Sequence, residues 1–215
     1  MRVGIFGGTF NPVHIGHLIT AETLHQDFAL DRILFVPSAR PPHKPSPGLI
    51  GTEHRTAMVR LAIAGNPAFE LSTVEIDRQG TSYSVQTVEA LRHSLGEGGE
   101  LYFILGIDAF LDLATWHRPE RLLRLCHFIV NSRPGFSFAE ASRVLAGTFG
   151  ISSNEGVSQA ALPGGHTLFF AEVPLLAISS TKIRTALAGG RSVKYLLPEP
   201  VESYILLHHL YIQSQ

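Results

Sequence analysis

Two histidines, His14 and His17, stand three residues apart just after a glycine pair, in the run RVGIFGGTFNPVHIGHL over residues 2–18. Val3 to Phe6 reads as a short buried strand, Gly7 and Gly8 as a turn, and the histidines as the first turn of a helix. Residues at i and i+3 share a helix face, so both imidazoles can address one ligand. A glycine turn lets backbone N–H groups approach an anion closely. A helix N-terminus adds unpaired N–H donors and a positive dipole end. The backbone of Gly7, Gly8, Thr9 and Phe10 with the two imidazoles therefore describes a phosphate site. Protonation of either histidine would strengthen its bond to a phosphate oxygen. Pro12 sets φ near the helix start, and Gly16 leaves room between the histidines for a base or ribose. Zinc ligation has compatible spacing, but no Cys/His cluster supplies a third and fourth ligand, so no metal ligand is assigned. A P-loop would need G-K-[ST] and a dinucleotide fingerprint G-x-G-x-x-G, and neither is present.

A second run, ISSTKIR over residues 178–184, supplies the complement. Ser179 or Ser180 can cap a helix through Leu187, with Gly189 and Gly190 ending it. The hydroxyls and free N–H groups of Ser179, Ser180 and Thr181 make another anion cradle. Arg184 lies one turn in and offers a planar fork to phosphate oxygens.

The elements that must position these groups alternate between strand and helix. Arg32 to Pro37, Phe69 to Ile76, Leu101 to Leu105, His127 to Asn131 and Thr167 to Phe170 read as strands. Thr52 to Asn66 carries helical spacing in Met58, Leu61, Ala62 and Ile63. Ser84 to Leu95 is amphipathic, with Val85, Val88, Leu91 and Leu95 inward. Strand–helix alternation predicts an α/β fold, a Rossmann-like doubly wound parallel sheet with helices on both faces. Ligands in such sheets sit beyond the C-terminal strand ends, where Gly106-Ile107-Asp108 and Arg133-Pro134-Gly135 also fall. Ser38 to Gly51 is proline-rich and reads as a long loop, as does Gly147 to Gly165, rich in small and polar residues. The expected division is a core over residues 1–178 and a C-terminal helical subdomain over 179–215.

Composition sets limits. The 215 residues are 45% hydrophobic and only 16% charged, with a formal net charge of −1, which supports a core and leaves no electrostatic footprint for nucleic acid. The single cysteine, Cys126, excludes an internal disulfide framework. With no membrane-length apolar run and no evident signal peptide, a cytoplasmic protein is expected.

The segment Gly8 to His17 closely resembles the signature G-x-F-[DN]-P-x-H-x-G-H of the nucleotidyltransferase superfamily, and Ile178 to Arg184 resembles the element that closes its active sites. PPHK (41–44), TSYS (81–84), GID (106–108), WH (116–117), SRPG (132–135) and YLLPEPV (195–201) follow in an order similar to the bacterial nicotinate mononucleotide adenylyltransferase family. The likeness spans nearly the whole chain and is weakest over Gly147 to Gly165. Asn11 stands where that family usually has aspartate, keeping the turn chemistry without the charge.

The resemblance implies transfer of AMP from ATP to nicotinate mononucleotide, without a covalent enzyme intermediate, as a step of NAD biosynthesis. His14 and His17, with backbone donors near Gly8 to Phe10, would hold the transferring and leaving phosphates. Arg184, also counted as catalytic, Lys44 and the Ser179–Thr181 helix start would neutralise pyrophosphate, and Mg²⁺ would arrive with ATP. Asp108 could accept from ribose hydroxyls or cap the following helix. Arg133 would serve the phosphate or adenine side. Trp116 offers the cationic pyridine ring a flat platform. Ser84 and the Trp116–His117 backbone resemble the family's carboxylate contacts, Tyr83 would either help shape that pocket or simply pack, and His43 joins Lys44 on the proline-rich loop. Nicotinamide mononucleotide, phosphopantetheine and glycerol 3-phosphate are rival acceptors. A non-catalytic nucleotide sensor is disfavoured because both histidines and Arg184 are retained. A homo-oligomer is compatible with the sequence; a membrane or nucleic-acid partner is not expected.

Overall fold

A computed structural model describes residues 1–40, 48–78, 80–96, 98–152 and 158–212. The chain runs β1 (Arg2–Gly8), α1 (Ile15–Asp27), β2 (Arg32–Pro37), α2 (Thr52–Ile63), β3 (Phe69–Leu71), α3 (Val74–Arg78), α4 (Ser84–Leu95) and β4 (Glu100–Gly106). It continues through α5 (Ile107–Leu111), α6 (Pro119–Leu122), β5 (His127–Asn131), α7 (Phe138–Phe149), β6 (Gln159–Ala161), β7 (Thr167–Ala171), α8 (Ser180–Ala188) and α9 (Glu199–Leu207). The sheet order is β3-β2-β1-β4-β5-β7-β6, parallel except for β6 against β7.

The buried strands are rich in aliphatic and aromatic residues, as a sheet covered on both faces requires. Alternation along each strand sends successive side chains to opposite layers. On one face Val3, Ile5, Phe103 and Phe128 pack with Val85 and Val88 of α4, Phe110 of α5 and Leu145 of α7. On the other, Phe6, Ile33, Phe35 and Ile104 pack with Leu24 of α1, Met58 and Val59 of α2, Ile183 of α8 and Ile205 of α9. Residues 179–212 thus share the second layer of core.

Two expected elements differ. The predicted strand Phe69–Ile76 stops at Leu71, and Val74–Arg78 is helical. There the Thr73 hydroxyl donates to Asp77 at 2.7 Å and the Asp77 N–H to the Thr73 carbonyl at 2.9 Å, closing a turn instead of a ladder. The expected loop Gly147–Gly165 instead holds the end of α7 and the edge strand β6. In α2, Leu61 is 36% exposed, while Arg55 and Val59 are buried.

Candidate active site

The strand order reverses between β1 and β4, so the crevice beyond their C-terminal ends is the expected ligand position. Gly7 and Gly8 close β1 in extended conformation rather than forming the turn. A Cβ on Gly8 would come within 3.0 Å of the Phe10 ring, whereas Gly7 faces open space. Phe10 takes a left-handed φ of 47° and buries its ring against Phe6, Phe35 and the edge of His17. Any contribution of Phe10 to a ligand would therefore come from its backbone.

His14 is the N-cap of α1, and His17 is its third residue. The His14 N–H donates to His17 Nδ1 at 3.1 Å. That bond fixes the tautomer: Nδ1 is the acceptor, so the proton of His17 sits on Nε2. The two rings stack with centroids 3.7 Å apart. His14 is 3% exposed, and its pKa falls to about 4 through burial and the neighbouring Arg133 charge. His17 is held well below the ordinary imidazole value by desolvation, then by His14 and Arg133. Both are neutral at neutral pH, so the added strength that protonation would give a phosphate bond is absent there. The low dielectric and the nearby guanidinium both oppose a second positive charge. A Cβ on Gly16 would lie 3.1 Å from His14 Nδ1, so this glycine also makes room for the imidazole itself.

The second motif is fastened directly onto the first. Ser179 caps α8, its hydroxyl accepting from the Lys182 N–H at 3.2 Å. Ser180 Oγ donates to the Pro12 carbonyl at 2.8 Å. Arg184 donates to the Asn11 carbonyl at 2.8 Å and reaches Thr181 Oγ1 at 3.4 Å. The Ser180 proton is thus engaged within the protein, whereas the Ser179 and Thr181 hydroxyls only accept in these bonds and keep their own protons to donate.

Arg133 follows β5 and approaches Asp108, in the first turn of α5, at 3.8 Å. Both side chains crowd over Gly106, where a Cβ would lie 2.8 Å from Arg133 Nε. Beside them a narrow cleft is lined by Gly16, Thr20, Arg133, Val173, Leu176 and Ile178.

Among the residues expected on the acceptor side, the rings of Tyr83 and His117 stack at 4.3 Å. Ser84 opens α4, whose first N–H groups lack helical partners. Trp116 is half-buried and meets Phe103 edge-on at 6.2 Å. The neighbouring Ser82 hydroxyl accepts from the N–H groups of Ala39 at 2.9 Å and Arg40 at 3.2 Å, tying this group to the end of β2. His43 and Lys44 lie outside the described residues.

Three further residues bear on the site. Arg55 of α2 is fully buried and donates to the Thr9 carbonyl at 2.8 Å. Asn11 donates to the Gly48 carbonyl at 3.0 Å and accepts from the Tyr211 hydroxyl at 2.7 Å. Sequence gave no sign of Arg55, which looks like any charged residue on a helix. The exchange of aspartate for Asn11 was the one visible hint of the amide's donor role.

Comparisons with known proteins agree with this fold. A family model described as cytidylyltransferase-like matches residues 5–186. A probable nicotinate-nucleotide adenylyltransferase of Thermoanaerobacter sp. (strain X514) is 44% identical over 215 residues, covering 100% of this chain and 96% of the relative. One of the same name from Moorella thermoacetica is 47% identical over 210 residues, covering 98% and 91%. In fold the chain is similar to Plasmodium falciparum nicotinic acid mononucleotide adenylyltransferase complexed with NaAD, with a TM-score of 0.74, 18% identity and coverage of 98% and 97%. The chain belongs to the cytidylyltransferase-like family, among relatives named nicotinate-nucleotide adenylyltransferases.

Proposed function

We propose that the chain transfers AMP from ATP to nicotinate mononucleotide, giving nicotinate adenine dinucleotide and pyrophosphate. The observation that carries this reading is the joining of two phosphate-type motifs through Ser180 to Pro12 and Arg184 to Asn11, beside a stacked pair of neutral histidines. A phosphate oxygen of the mononucleotide attacks the α-phosphorus of ATP. A new P–O bond forms, the bond to the bridging oxygen breaks, and pyrophosphate leaves with that electron pair. The attacking phosphate is already anionic, so no general base is required, and catalysis reduces to positioning and charge stabilisation. His17 Nε2–H is a fixed donor that needs no proton uptake. Arg184, Arg133 and the α8 N-terminus supply the positive potential. Cys126 is buried, and burial raises its thiol pKa, which leaves it unsuited as a nucleophile.

Mg²⁺ would enter with ATP, held by phosphate oxygens and water, and would offset polyphosphate charge. This suits the donor set. The cleft presents N–H groups and guanidinium, and Asp108 is the carboxylate beside it, already facing Arg133. On the acceptor side, Ser84 and the α4 N-terminus offer donors, which favours a carboxylate over an amide. Trp116 and the Tyr83–His117 stack offer aromatic surface to a pyridine ring.

The test is pyrophosphate release with ATP and Mg²⁺, comparing nicotinate mononucleotide with nicotinamide mononucleotide. Preference for the acid is expected. Preference for the amide would overturn the acceptor assignment, and no release with either would overturn the reaction.

A further inference from the structure

Arg55 is the largest fully buried side chain among the described residues, and it makes no ion pair there. Its partners are backbone carbonyls from three separate segments: Thr9 at 2.8 Å, Ser38 at 2.7 Å with Ala39 at 3.5 Å, and Ile50 at 3.2 Å. Glu53, Glu75 and Tyr211 favour its charge from farther away, while burial opposes it.

A buried guanidinium without a paired carboxylate is costly, and an apolar side chain of similar volume commonly fills such a place at less cost. The return here is geometric. A planar trans peptide directs its C=O and N–H in opposite senses. Drawing the Thr9 carbonyl toward Arg55 therefore turns the Phe10 N–H away from the core. Arg55 also grips Ser38 and Ala39, whose segment Ser82 holds from the other side and whose Ser38 N–H donates to the Gly8 carbonyl at 2.9 Å. The turn after β1 and the segment after β2 are thus referred to one rigid fork.

We propose that Arg55 is a positioning residue for the transfer step, holding the Thr9–Phe10 peptide in register with Ser38, Ala39 and Ile50 so that the Phe10 N–H meets the transferred phosphate. This rests on the reaction proposed above. Lysine keeps the charge but has no planar fork, and it cannot reach three segments at once.

The test compares Arg55→Lys and Arg55→Gln with Met58→Ala, a buried change one turn away in the same helix and outside the site. Steady-state kinetics are run well below each variant's Tm. The Arg55 variants should lose about tenfold or more in kcat, with the KM of either substrate moving less than about threefold. Met58→Ala should lower Tm and keep kcat. The proposal is overturned by an unchanged kcat in a folded Arg55 variant, by an equal kcat loss in Met58→Ala, or by failure of both Arg55 variants to fold while Met58→Ala does. An inactive wild type would instead refute the reaction itself, and with it the need for a positioning residue.

Discussion

Acid should destabilise this protein in a way that one side chain reports. His14 titrates near pH 6.5 when unfolded and near 4 when folded, because burial and Arg133 disfavour the imidazolium. Between those values the unfolded chain binds more protons than the native one, so stability is complete above pH 6.5 and is lost as pH falls toward 4. At 1.36 kcal/mol per pH unit the gap between the two pKa values amounts to about 3 kcal/mol, of which about 2 kcal/mol is lost between pH 7 and pH 5. His17, lowered by the same causes, adds with the same sign. His127 and His166 are also lowered by burial, so the comparison must be made against a variant that keeps them. Urea unfolding of wild type and His14→Gln at pH 7 and pH 5 isolates the effect. Wild type should lose about 2 kcal/mol more than the variant over this interval. Equal losses would show that the folded imidazole titrates normally and would refute the argument from burial. Bound ATP should shrink the loss, since a polyphosphate stabilises the imidazolium that burial opposes.

Other outcomes follow from the site. His17→Ala should lower kcat by about 10²–10³ while ATP affinity changes far less, because a fixed donor acts on charge that develops in transfer; equal losses by kinetics and calorimetry would make it a binding residue. Trp116→Ala should mainly raise the KM for nicotinate mononucleotide, whereas a lowered Tm with unchanged KM would assign the indole to its contact with Phe103. Gly106→Ala should force Arg133 and Asp108 apart and raise the KM for ATP by about tenfold; an unchanged KM would place that pair off the nucleotide's path.

The local chemistry of both motifs was legible in sequence because it is local. Ser179 caps its helix, and strands β2 and β5 run over the expected residues, since patterns of apolar and capping residues act within a few positions. Helix α7 went unassigned although its signals were present. Ser137 and Glu140 form a capping box, and Gly150 ends the helix in the left-handed conformation. Their weakness lay in a neighbouring run of small residues that reads as loop. The histidine protonation state was illegible for a different reason: it depends first on burial, and then on Arg133, more than a hundred residues away. Arg55 was illegible because its partners are carbonyls, which carry no sequence identity. Tyr83 and His117 stack across separate segments, so neither position predicts the other.

The first motif is completed by residues 168 to 200 positions further along the chain. Asn11 and Pro12 receive their bonds from Ser180, Arg184 and Tyr211. Arg55 and Gly48 can hold the turn after β1 early, yet these three further bonds form only when α8 and the segment after α9 dock. Closing contacts this far apart is slow relative to local folding. ATP affinity should therefore appear late in folding, once α8 and the segment after α9 have seated on the first motif.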